Sequence, residues 1–123
     1  MALFRRHPAA LAVLALAACD TGPADHQRVA GGDADAGRAT VIAEGCGACH
    51  TMPGIRGARG TVGPPLEGFA QRGYIAGQFP NEPAELMRWL ADPPAVLPGT
   101  AMPATGLSAQ QQRDVAAFLY AQR

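Results

Sequence analysis

Five residues, Cys46-Gly47-Ala48-Cys49-His50, constrain this chain more than any others. A C-x-x-C-H run is the spacing of c-type haem attachment. Its two thiols add to the haem vinyl groups, and the adjacent imidazole is placed to bind the iron from one face. A fold that accepts this group must close around a large apolar disc next to residue 50. The function that follows is one-electron transfer, with the haem supplying the chemistry and the protein setting its potential through ligands, burial and hydrogen bonds.

Rival readings of these residues ask for features the sequence lacks. A thioredoxin-like thiol pair belongs in a βαβ context, and no convincing strand pattern is present. A zinc site needs two more ligands, and there is no second Cys or His pair. A small peroxidase or gas-binding protein needs an open sixth position on the iron, and no histidine stands in a plausible distal place.

The third cysteine, Cys19, ends the run Leu16-Ala17-Ala18-Cys19. Arg5, Arg6 and His7 form a short basic region before it. Leu11 to Ala18 is apolar, long enough for a signal core and too short to span a bilayer. Leu-Ala-Ala-Cys resembles a bacterial lipobox, whose cysteine becomes the lipidated first residue of the mature protein. All three cysteines then have a thioether to form. Ala15-Leu16-Ala17 also satisfies an A-x-A cleavage pattern, and cutting there gives a soluble periplasmic protein with an exposed thiol. The expected organisation is a lipoprotein-type signal over 1–18, a lipid-anchored flexible tether over 19–36 and a haem domain over 37–123. The expected location is the periplasmic side of a bacterial inner membrane.

Without residues 1–18 the chain has eight arginines, no lysine and ten Asp or Glu, a formal charge of −2. A nucleic-acid partner has no electrostatic footprint in such a chain. Docking must rely on scattered arginines, apolar contacts or confinement to a membrane. About 85 residues follow the tether, which is marginal for a core without help. That stretch has one Trp, two Tyr and three Phe, a thin supply that a covalently held haem would supplement.

Three helices are expected. The first is capped by Asp33 or Asp35 and runs to about Glu44, with Ala39, Ile42 and Ala43 as its apolar face. The second starts on Pro83 with Asn81 or Glu82 as cap, faces inward with Leu86, Trp89 and Leu90, and stops at Asp92-Pro93-Pro94. The third opens at Ser108 with Gln111 as a capping box and buries Val115, Phe118 and Leu119. Residues 51–72 and 93–106, rich in Gly and Pro, read as loops. The fold class is all-α.

His50 supplies one axial ligand. Of the remaining candidates, His7 lies in the signal and His26 in the tether. Met52 is too close to His50 to reach the other face of the ring. Met87 sits in a helix as core filler. Met102 stands in the proline-stiffened loop Pro98-Gly99-Thr100-Ala101-Met102-Pro103 and is the expected second ligand. His/Met ligation raises the potential and fills both axial positions.

Taken in order, Cys46-Gly47-Ala48-Cys49-His50, Gly63-Pro64-Pro65-Leu66 and Pro98 to Pro103 resemble a class I c-type cytochrome from about Gly37 onward. Tyr74-Ile75-Ala76-Gly77 with Asn81 to Pro93 is similar to the cytochrome c domain fused to subunit II of some haem–copper oxidases. The resemblance implies a small cytochrome c fold, three main helices and long loops wrapped around one haem c held by Cys46 and Cys49. It implies that the Pro64 carbonyl accepts a hydrogen bond from His50 and that Leu66 packs on the haem. Arg72 and Thr100 match positions near the propionates, although Arg72 reads equally as a solvated loop arginine. Trp89 matches an aromatic near the methionine ligand, with core packing as its other reading. Gly37 and Phe118 match the crossing of the first and last helices. The implied partners are redox proteins: a quinol-oxidising complex or dehydrogenase as donor, and a terminal oxidase or reductase as acceptor.

Overall fold

The computed structural model describes residues 22–122. The expected signal segment and Cys19 lie outside the described residues. Helix α1 is Ala34–Ala43, and Asp33 caps it by accepting the Asp35 and Ala36 N–H groups. Strands β1 (Tyr74–Ile75) and β2 (Phe79–Pro80) form a short antiparallel hairpin, Tyr74 opposite Pro80. Helix α2 is Pro83–Ala91, α3 is the single turn Pro93–Val96, and α4 is Ala109–Tyr120. Ser108 and Gln111 make the expected capping box at the start of α4.

The core is centred on α4. Helix α1 crosses it on one side and α2 packs on another. At the first crossing Gly37 lies directly on the Asp114 backbone carbonyl, and a Cβ at residue 37 would overlap that carbonyl. Val115, Phe118 and Leu119 are buried as expected, joined by Ala116 and Tyr120, and α2 contributes Leu86, Trp89 and Leu90.

Four expectations are corrected. The inward face of α1 is Gly37 and Val41; Ala39, Ile42 and Ala43 face outward, with Ile42 50% exposed. Glycine sets that face, because the contact is made by backbone rather than by side chains. Pro93 and Pro94 do not open a loop. Asp92 accepts the Ala95 N–H (3.3 Å) and caps a new turn, where proline's fixed φ fits and its missing N–H is not needed. No strand was expected anywhere in the chain, yet residues 74–80 form the hairpin. Its turn has positive φ at Ala76 (51°) and Gly77 (69°), the mirror-image turn that matches strand twist. Asn81 does not cap α2. Its buried amide Nδ2 donates to the Phe69 and Arg72 carbonyls (both 2.9 Å), and Glu82 holds the cap position without a side-chain bond.

The expected tether also differs in part. Residues 25–36 lie against the domain. Gln27, in a 3-10 turn over Asp25–Gln27, is buried, and its Nε2 donates to the Ala70 carbonyl at 2.8 Å.

Gly37→Val is expected to destabilise the holoprotein by about 1–3 kcal/mol through overpacking, whereas Ile42→Ser should change stability by less than about 0.5 kcal/mol; thermal unfolding of both variants checks this. Tyr120 gives a second test. Burial pushes its phenol above the ordinary value of 10, and its hydroxyl has no partner among the described residues. The folded state therefore holds this proton more tightly than the unfolded chain, so stability is intact below pH 10 and falls as pH rises above it. No lysine titrates in the same range. Tyr120→Phe should flatten that decline and cost less than about 1 kcal/mol at pH 7, since no hydrogen-bond partner is stranded.

Candidate functional site

Helix α1 ends at a left-handed residue, Gly45 (φ 68°), which turns the chain into a 3-10 turn over Cys46–Ala48. The His50 N–H donates to the Cys46 carbonyl at 3.0 Å, closing the motif on itself. Cys46 and Cys49 are half-buried thiols. Burial pushes the Cys46 thiol up, which keeps it protonated at neutral pH.

The segment after His50 folds back over the motif. Thr51 and Arg59 form an isolated bridge, the Leu66 N–H donates to the Thr51 carbonyl (2.8 Å), and the Gly63 N–H donates to the Cys49 carbonyl (2.8 Å). Gly63 lies flat against the imidazole of His50; a Cβ there would come within 2.7 Å of Nδ1. The next residue supplies the acceptor: His50 Nδ1–H donates to the Pro64 carbonyl at 2.8 Å. A carbonyl only accepts, so Nδ1 carries the proton and Nε2 keeps its lone pair.

Cys46, Cys49 and His50 line one cavity of about 650 Å³ together with Pro64, Leu66, Arg72, Trp89, Thr100 and Met102. Nearly all of the sequence-expected site is therefore brought together. Thr100 Oγ1 accepts the Met102 N–H at 3.3 Å, which stiffens the methionine loop. Trp89 is buried, with its ring 6.4 Å from Phe79, so it packs in the core and lines the cavity at once. The Arg72 guanidinium donates to the Pro65 and Glu67 carbonyls and lies 6.0 Å from the Phe69 ring. It is a loop fastener at the cavity wall rather than a solvated side chain. Met87 is outside this cavity. Met52 is buried and lines only a smaller recess of about 60 Å³, which also touches His50 and Met102. His26 is exposed, and Cys19 is outside the described residues.

The donor set suits a covalently attached haem. Two thiols, an imidazole with a free Nε2 and a thioether share a mostly apolar cavity, and glycine is present where the imidazole needs clearance. A family model described as Cytochrome c matches residues 34–122. The chain belongs to the cytochrome c family. No curated protein matches it. Membership makes this an electron-transfer protein with one haem c bound through Cys46 and Cys49. The match begins at Ala34, where α1 begins, three residues before the boundary expected from sequence.

Other contributors to this cytochrome c site had no role assigned from sequence. Gly63 was visible inside Gly63-Pro64-Pro65-Leu66, and a glycine directly before the histidine's acceptor is the signal that marks it. Ile75 and Leu97 line the cavity from the hairpin and the end of α3. Val115, expected only as core, also reaches it.

Gly63→Ala is expected to displace the His50 ring from the Pro64 carbonyl and to cut the yield of holoprotein with a native c-type spectrum at least severalfold. Gly73→Ala, where a Cβ meets nothing within 4 Å, should leave yield and spectrum unchanged.

Proposed function

We propose that this cytochrome c is a six-coordinate, one-electron carrier with His50 and Met102 as axial ligands, lipid-anchored through Cys19 on the periplasmic side of a bacterial inner membrane. The observation that carries the ligand assignment is the shared cavity. His50 enters it with Nδ1 committed to Pro64 and Nε2 free, and among the described residues Met102 is the one methionine on the wall of the main cavity. The haem supplies reversible one-electron chemistry at its iron.

The chain's own residues do the rest. Pro64 fixes the imidazole orientation and raises its basicity as a ligand. Thr100 holds the backbone at Met102, so little loop entropy remains to be lost when the thioether binds. Trp89, Leu66 and Leu90 exclude water, which raises the energetic weight of every charge in the cavity. Arg72 and Thr100 are proposed to lie near the propionates, in keeping with their place on the cavity wall. The partners proposed are a quinol-oxidising complex or dehydrogenase as donor and a terminal oxidase or reductase as acceptor. A chain without lysine and with a weak net charge favours encounter by shared confinement at a membrane over long-range steering. The resemblance of residues 74–93 to an oxidase-fused domain favours an oxidase as acceptor.

The test is the visible spectrum of the membrane-extracted protein, oxidised and reduced, with and without carbon monoxide. A c-type reduced spectrum, the weak red band of methionine on ferric iron and indifference to carbon monoxide are expected. Met102→Ala should abolish the red band and admit carbon monoxide, and Met102→His should lower the midpoint potential. A wild-type protein that binds carbon monoxide would sink the Met102 assignment and favour a gas-binding or peroxidase reading.

A further inference from the structure

The segment before α1 is fastened to the domain at several points. The Gln110 side chain donates to the Gly31 carbonyl (2.8 Å), and the Asp33 N–H donates to Asp114 Oδ1 (2.9 Å). Gly32 sits so close to α4 that a Cβ would lie 2.7 Å from the Arg113 carbonyl. Val29 packs against the core. Gln27 is 4% exposed and bonds the Ala70 carbonyl, while the Ala70 N–H donates to the Gln122 carbonyl (3.1 Å). Followed backward from Asp33, the chain thus runs along α4 from its N-terminal turns to its C-terminal end.

We infer that residues 24–33 are a strap that shortens the lipid leash and seats the domain on the bilayer with the C-terminal end of α4 toward the lipid. This rests on the proposed lipidation of Cys19. From Cys19 to Ala24 there are about five residue steps, at most roughly 18 Å of extended chain. A free tether as far as Gly37 would have a contour of roughly 60 Å. A domain of this size has a radius of gyration near 13 Å, so it is roughly 34 Å across. A leash of about half that diameter does not let the domain turn over. The end that faces the lipid is suited to it. Asp25 and Arg28 neutralise one another across 3.0 Å, so this part of the strap presents no net charge to an anionic surface. The short leash makes a lipid surface the occupant of this face, the neutral pair offers it no repulsion, and the partners reached from it are membrane proteins met by lateral diffusion.

Arg28 gives a direct test, because it is the first trypsin site after Cys19 and the chain has no lysine. In the lipidated holoprotein the strap should protect the Arg28–Val29 bond, and Gln27→Ala should raise the cutting rate about tenfold for one lost buried hydrogen bond with the haem spectrum unchanged. Rapid cutting in the wild type would overturn the strap, whatever the state of Cys19. The seat is read separately, as quenching of a headgroup-labelled lipid by the haem in vesicles. A Gly-Ser insertion of about 16 residues after Thr21 adds roughly 20–25 Å of reach and should weaken quenching severalfold. Equal quenching with and without the insertion would overturn the short leash. The mass of the N-terminal fragment decides the anchor itself. A chain without lipid would overturn both the anchor and the membrane seat, while the trypsin result would still decide the strap.

Discussion

The packing of Gly37 on the Asp114 carbonyl is the contact on which the rest of the molecule depends. Asp114 serves α1 twice: its backbone receives Gly37, and its side chain accepts the Asp33 N–H at the helix start. With two points fixed, the axis of α1 is fixed, and so is the place where Gly45 releases the chain into the cysteines. The same stretch of α4 turns Val115 into the haem cavity and Phe118 toward α1. One close helix crossing therefore sets both the attachment motif and part of the surface that receives the haem.

Between residues 51 and 66 order comes from hydrogen bonds rather than from regular elements. Thr51 is used through its backbone and its hydroxyl, the latter donating to the Gly60 carbonyl at 3.0 Å. Arg72 fastens the far side of the loop at Pro65 and Glu67. A glycine-rich loop loses much conformational entropy on folding. What it gains is close approach, since Gly63 lets backbone lie flat on the imidazole ring. The orientation of His50 is thus a property of the loop's whole bonding pattern, not of the motif alone.

The local signals were legible in the sequence. Asp33 and the Ser108–Gln111 box mark helix starts through bonds made within four residues, and Pro83 marks one through its fixed φ; the structure has all three helices where these signals put them. The spacing of the cysteines and histidine identified the cofactor for a similar reason. What escaped were contacts settled at long range. The apolar spacing of Ala39, Ile42 and Ala43 suggested the wrong face for α1, because a helix that packs through glycine need not bury its largest side chains. Gln27 looked like part of a polar tether, yet its amide meets a carbonyl 43 residues away, and no local pattern encodes that match. Asn81 and Glu82 were both candidate caps because they precede the helix-starting Pro83; Glu82 takes that position, and the Asn81 amide instead holds the Phe69 and Arg72 carbonyls. The expected site residues line one cavity because they sit in ordered motifs, while Ile75 and Leu97 required the tertiary fold to bring them in.

Ala70 joins three remote parts of the chain. Its carbonyl receives Gln27, its N–H reaches Gln122, and the ring of its neighbour Phe69 lies tilted against Tyr120 with centroids 5.9 Å apart. The strap and the C-terminal end of α4 are thus closed on one residue in the middle of the chain, as a clasp closes a loop. Most small domains open first by fraying at their ends. Here both segments end on the backbone of one residue, beside the turn that lines the haem cavity, so either end that opens leaves a backbone group of that turn without its partner.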